Sequence, residues 1–216
     1  MKPLGKVKIR WSPNFAYAVG LFAADGNLSP DGRHIDFTSK DRGQLINCMH
    51  CFSIKVKIGF KVSGYSGKKT TRIQFSDINF YKFLLEIGFM PRKSKIISNL
   101  AIPDKYFFDF LRGHFDGDGT FYSYWDPRWR SSYMFYTVFI SASRNHIRWL
   151  RDTIHRFLRI KGHITHDPKK ITYQLKYAKK DSLKILRRMY YNQEVVCLKR
   201  KRLKIKKALA IIGLAL

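Results

Sequence analysis

The chain has 216 residues, 45% of them hydrophobic and 15% aromatic, which is enough apolar material for a sizeable core and excludes wholesale disorder. It carries 42 Lys and Arg against 15 Asp and Glu, a formal charge of +27 spread along its length, so the expected partner is a polyanion, nucleic acid before membrane. No stretch approaches the roughly 18 apolar residues of a membrane span and no apolar stretch follows the basic N-terminus, so an intracellular protein is expected, in a prokaryotic cytoplasm or an organelle.

Ser12 and Pro13 supply an N-cap and a favoured first residue for a helix. That helix runs through the apolar residues 15–24 and stops at Asp25, Gly26 and Asn27. Residues 28–29 and 34–38 read as strands around a turn at Pro30, Asp31 and Gly32, and a helix is expected over 42–53. Within it, Cys48 and Cys51 have metal-ligand spacing but no second ligand pair to match, and they read as small residues on a buried helix face. Lys55, Lys57 and Lys61 then alternate with Val56, Ile58, Phe60 and Val62, the period of a half-buried strand. After a turn at Gly64, Tyr65, Ser66 and Gly67, residues 70–76 repeat the pattern, with Arg72 and Gln74 on one face and Ile73 and Phe75 on the other. A helix over 78–87 and a linker over 90–103 follow.

The order then repeats. A helix over 104–115 ends at Asp116, Gly117, Asp118 and Gly119. Strands over 120–124 and 133–141 flank residues 125–130, whose Trp and Arg side chains either cover the sheet end or reach nucleic acid. Asn145 is the expected cap of a helix to about 158; strands near 163–166 and 171–177 come next. Asp181 is the expected cap of a helix to about 191, and the basic run Lys199, Arg200, Lys201, Arg202 leads into a last helix. Each half reads helix, two strands, helix, two strands, helix. The expected fold is α+β, a pseudo-dimer fused into one chain, with halves at 1–98 and 99–216.

The ends of the two leading helices carry the same pattern. Gly20 and Ala24 precede Asp25 and Gly26, as Gly113 and Gly117 precede Asp118 and Gly119. Small residues four apart share one helix face and let two backbones approach. Helices packed through those faces bring Asp25 and Asp118 together, where the carboxylates repel each other and face negative helix ends. Hard oxygen ligands, the two carboxylates with the carbonyls of Ala24 and Gly117, suit Mg²⁺. A divalent metal against phosphate is the equipment of phosphodiester hydrolysis. A calcium loop at Asp116 to Asp118 fails, because Phe121 stands at its glycine position and Pro127 at its glutamate position.

These segments resemble the double signature of single-chain LAGLIDADG homing endonucleases, over the chain from about Ser12 to Lys207. The second copy, around Phe110 to Phe121, is the more specific. In the first, Ala23 replaces the motif's first acidic residue, and Arg112 and His114 depart from positions that are usually apolar or small. The resemblance implies two αββαββα halves, each with a four-stranded antiparallel sheet, forming a saddle over the DNA major groove with the motif helices packed at the centre. It implies a monomeric, intron-encoded enzyme cutting both strands of a long asymmetric site across the minor groove. Asp25 and Asp118 become ligands of two or three shared Mg²⁺ ions, with Ca²⁺ or Mn²⁺ able to substitute in binding. A basic residue belongs near each aspartate; Lys93 matches the first copy and Lys199 the second. The strand residues facing double-stranded DNA would be Lys55, Lys57, Lys61, Arg72 and Gln74 in the first half, and Tyr122, Tyr124, His163, Thr165, Gln174 and Lys176 in the second. The alternative on the same fold is an intron RNA maturase or a non-cleaving DNA-binding protein.

Overall fold

The computed structural model describes residues 5–62 and 67–216; the turn expected at Gly64, Tyr65 and Ser66 lies outside them. Helix α1 (Pro13–Asp25) starts where Ser12 Oγ accepts from the Phe15 amide at 3.1 Å, the cap that the sequence suggests. Strands β1 (Gly26–Leu28) and β2 (His34–Ser39), helix α2 (Arg42–Phe52), strands β3 (Gly59–Val62) and β4 (Lys69–Ser76) and helix α3 (Ile78–Glu86) complete the first half. The second half repeats the order: α4 (Phe107–Asp118), β5 (Thr120–Trp125), β6 (Tyr133–Ser141), α5 (Arg144–Leu158), β7 (His163–His166), β8 (Tyr173–Ala178) and α6 (Lys179–Met189). Helix α7 (Lys199–Ala210) is added after it.

Each half holds one four-stranded antiparallel sheet, in the orders β1-β2-β4-β3 and β5-β6-β8-β7. One side of each sheet lies against helices and contributes to a single core: Ile35, Phe37 and Ile73 from the first, Phe135, Phe139 and Leu175 from the second. At the centre α1 and α4 cross in contact at Gly20 and Gly113. Among the described residues no helix is long and apolar enough to cross a membrane.

Three local expectations change. The segment containing Lys55 and Lys57 is not part of β3. The chain leaves α2 through Ser53 in the left-handed region (φ 55°), buries Ile54, and joins β4 only at Gly59. Phe60 and Val62 are 63% and 56% exposed, because β3 is an edge strand and the helices of its half pack against β2 and β4. Ser143 rather than Asn145 caps α5, its Oγ accepting from the His146 amide at 3.3 Å. Asp181 lies within the first turn of α6, which starts two residues earlier at Lys179 without a side-chain cap.

Candidate functional site

The α1–α4 crossing brings the two aspartates to one end. A Cβ built on Gly117 would stand 3.4 Å from Asp25 Oδ2. Burial, and then the charge of Asp118, push the Asp25 pKa up to about 7; burial likewise raises Asp118, although it stands at the exposed rim. Among the described residues neither carboxylate accepts a hydrogen bond.

Each helix end carries a lysine. Lys93, 4% exposed in the single 3-10 turn of the linker, donates from Nζ to the carbonyls of Ala23 (2.8 Å) and Ala24 (3.3 Å). Lys201 donates from Nζ to the carbonyls of Phe115 (2.6 Å), Asp116 (2.9 Å), Gly117 (3.4 Å) and Gly119 (2.6 Å). The cations thus sit on the unsatisfied carbonyls at the negative helix ends. Burial lowers both lysines to about 8, against the opposing pull of the aspartates. The second lysine at the site is Lys201, not Lys199. Leu198, Lys201, Ile205 and Ala208 follow helical spacing, with Leu198, Ile205 and Ala208 buried, whereas Lys199 lies off that stripe and lines an outer cleft with Asn47 and Gln193. That phase was legible in the sequence. The carbonyls of Ala24 and Gly117, expected as metal ligands, are among those the lysines reach, at 3.3 and 3.4 Å.

Asp116 and Arg112 serve packing. Asp116 is fully buried; its Oδ2 accepts from Tyr17 Oη at 2.8 Å and from the Leu198 amide at 2.6 Å, tying α4 to α1 and to the start of α7. Burial pushes its pKa up to about 6. The contrast with Ala23 is therefore one of helix packing. Arg112 is also fully buried. It pairs with Asp109 at 2.9 Å and donates to the carbonyls of Met189 (2.7 Å) and Val196 (2.9 Å). A guanidinium in that position straps α4 to the end of α6 and to the segment after it, and leaves the helix crossing intact.

Strand register places the expected nucleic-acid residues. Lys61, Arg72 and Gln74 face away from the core, as do Asp36 and Thr38 beside them. Lys61, Thr38, Thr70, Asp36, Asp25 and Lys93 line one cavity, so this outer face opens onto the aspartates. Tyr122, Tyr124, His163, Thr165, Gln174 and Lys176 all share the outer face of the second sheet, whose strand β5 leaves directly from Asp118 and Gly119. Lys55 and Lys57 are exposed but outside the sheet. Sequence reading missed Tyr136, directly opposite Tyr122, and Arg200, which lines a second cavity with Asp25 and Gly117. Alternation within residues 133–141 was the signal for Tyr136.

Seven α-helices and two four-stranded antiparallel sheets make this an α+β fold like that of LAGLIDADG homing endonucleases of known structure. It is similar to the LAGLIDADG homing endonuclease I-LtrWI bound to target DNA, with TM-score 0.60 and 11% identity over 93% of this chain and 90% of that one. It is similar to I-GzeII in complex with its DNA target, with TM-score 0.59 and 13% identity over 94% and 92%. The N-terminal LAGLIDADG domain of DUF199/WhiA superposes with TM-score 0.55 and 21% identity over 86% and 85%. No protein-family model and no curated protein sequence matches the chain.

Proposed function

We propose that this protein is a site-specific double-strand DNA endonuclease that hydrolyses phosphodiester bonds with divalent metal ions. The observation that carries the reading is the convergence of Asp25 and Asp118, uncommitted and flanked by Lys93 and Lys201, where the outer faces of both sheets begin. The +27 charge and the DNA-bound fold neighbours support duplex DNA as the partner.

Among the described residues no three His, Cys, Asp or Glu side chains stand together. The donor set fits Mg²⁺ or Mn²⁺ nonetheless: these ions take one or two carboxylates and complete their shell with water and phosphate. Asp25 and Asp118 would hold the metal, which when bound supplies an acidified water and charge neutralisation at the phosphate. The outer sheet faces orient the duplex so that the scissile phosphates meet the aspartates. Lys93 and Lys201, fixed by helix carbonyls, stabilise negative charge developing on the phosphate without reorganising.

Selection against a randomised duplex library, with Mg²⁺ for cutting and Ca²⁺ for binding, tests this. One asymmetric site should be cut with Mg²⁺, and the Asp25→Asn/Asp118→Asn double variant should bind that site without cutting. Undiminished cutting by the double variant overturns the reading. A non-cleaving DNA-binding protein or an intron RNA maturase is the second reading. It is favoured by the charge balance of the site, two carboxylates against two ammonium groups without any metal. Selective binding of duplex or intron RNA with no cutting in Mg²⁺ or Mn²⁺ would establish it.

A further inference from the structure

The two outer sheet faces differ in chemistry. On the first, register aligns Asp36 with Gln74, Thr38 with Arg72 and Lys61 with Thr70, all hydrogen-bonding side chains. On the second, the β5–β6 part is aromatic and apolar, with Tyr122 aligned with Tyr136, Tyr124 with Met134, and Ile140 on the same face, while the β7–β8 part carries the polar His163, Thr165, Gln174 and Lys176. The Tyr122 and Tyr136 rings stack 5.1 Å apart at 17°, and Tyr124 lies 6.4 Å from Tyr122 at 11°. Tyr124 is 41% exposed, while Tyr122, Met134, Tyr136 and Ile140 are half-buried. Stacking holds the rings in place before any ligand arrives, so little side-chain freedom is lost on contact.

A polar face reads bases by hydrogen bonds. An apolar patch such as that on β5 and β6 can read one feature of the major groove, the C5-methyl group of thymine. Tyr122 and Tyr124 are successive outward residues, about 7 Å apart along β5, close to the rise of two base pairs. We propose that the second half recognises its half-site by thymine methyl groups held against Tyr122, Tyr124, Tyr136, Met134 and Ile140, whereas the first half reads by hydrogen bonds. The proposal rests on the DNA-binding reading above and specifies its substrate.

The test uses the full chain, Ca²⁺ and the site selected from the randomised library. Thymine is expected to dominate positions in one half-site. Replacing thymidine by deoxyuridine there should weaken binding about fourfold per methyl removed, the worth of burying one carbon, while the same replacement in the other half-site changes affinity less than about twofold. Tyr124→Ala and Tyr136→Ala should erase the difference between thymidine and deoxyuridine duplexes, and Arg72→Ala should preserve it. A selected site that binds tightly but tolerates deoxyuridine in both halves overturns methyl reading and leaves the endonuclease proposal standing. Absence of any bound sequence overturns both.

Discussion

Gly20 and Gly113 meet where α1 crosses α4: a Cβ on Gly20 would stand 2.0 Å from the Phe110 carbonyl oxygen, and one on Gly113 1.9 Å from the Tyr17 carbonyl oxygen. Neither backbone can give way locally, so a single methyl forces the helices apart and moves Asp25 relative to Asp118. Gly20→Ala and Gly113→Ala should each destabilise the protein by about 1–3 kcal/mol in urea unfolding, the usual cost of overpacking. Gly59→Ala, whose Cβ would find its nearest neighbour at 4.0 Å, should change stability little. Equal stability of the Gly113 and Gly59 variants would contradict the packing described.

Lys201 and Lys199 give a sharp pair of variants. Lys201→Met should slow single-turnover cleavage of the selected site by about 100-fold or more, in the range seen when a fixed group stabilising transition-state charge is removed. Lys199→Met should stay within about twofold. If Lys199→Met is the slower variant, the assignment from geometry fails.

The Arg112–Asp109 pair is buried and hydrogen-bonded. Arg112→Met leaves the buried Asp109 carboxylate without its cation, though the Tyr191 hydroxyl still donates to it at 3.1 Å, and should cost about 3–5 kcal/mol. The Arg112→Met/Asp109→Leu double variant should recover a large part of that loss. A double-mutant cycle by urea denaturation measures it, and strictly additive losses would show that the pair is not coupled.

His114 and His146 are buried with ring centroids 5.2 Å apart. Burial lowers His146 to about 4, against its Nδ1 contact with the Ser98 carbonyl at 2.8 Å, and burial holds His114 well below the usual imidazole range. The unfolded chain protonates both near pH 6.5. At these two sites the unfolded chain therefore binds more protons than the folded protein below that pH, so the histidines' contribution to stability falls with pH between about 6.5 and 4, opposite in sign to that of Asp25 and Asp116, whose raised values favour the folded state as pH falls. At pH 5 each histidine should cost on the order of 2 kcal/mol relative to pH 7.5. His114→Phe should raise stability at pH 5 relative to pH 7.5 by about 2 kcal/mol compared with the unaltered protein, and an unchanged pH dependence would show that His114 takes no part.

The sequence made the central elements legible because several signals agree there. Around Asp25 and Asp118, apolar helical periodicity, small residues four apart and the Asp-Gly stop all point to one arrangement. The basic run that opens α7 offers four cations in a row, and only the helix phase set by Leu198, Ile205 and Ala208 separates Lys201 from Lys199. The lysines 55 and 57 misled because alternation marks which residues share a face, whereas pairing depends on where β4 becomes accessible, and α2 delays that to Gly59. Ser143 and Asn145 are both good caps by residue type. Only the tertiary contact from Ser143 Oγ to the Ile97 carbonyl favours the first.

The bond from Tyr17 to Asp116 has a counterpart of opposite character. With Gly20 and Gly113 aligned, Tyr17 corresponds to Phe110 and Ala23 to Asp116, so one flank of the crossing holds a hydroxyl and a carboxylate while the other holds a ring and a methyl group. Two copies of the second half paired with each other would bury two Asp116 carboxylates opposite Phe110 rings. Two copies of the first would leave Tyr17 hydroxyls over Ala23. Each half is thus a poor match for itself and a good one for its neighbour in the chain. The fused pair is committed to heterologous assembly, and a half-site exchange between related proteins would have to move residues 17, 23, 110 and 116 together.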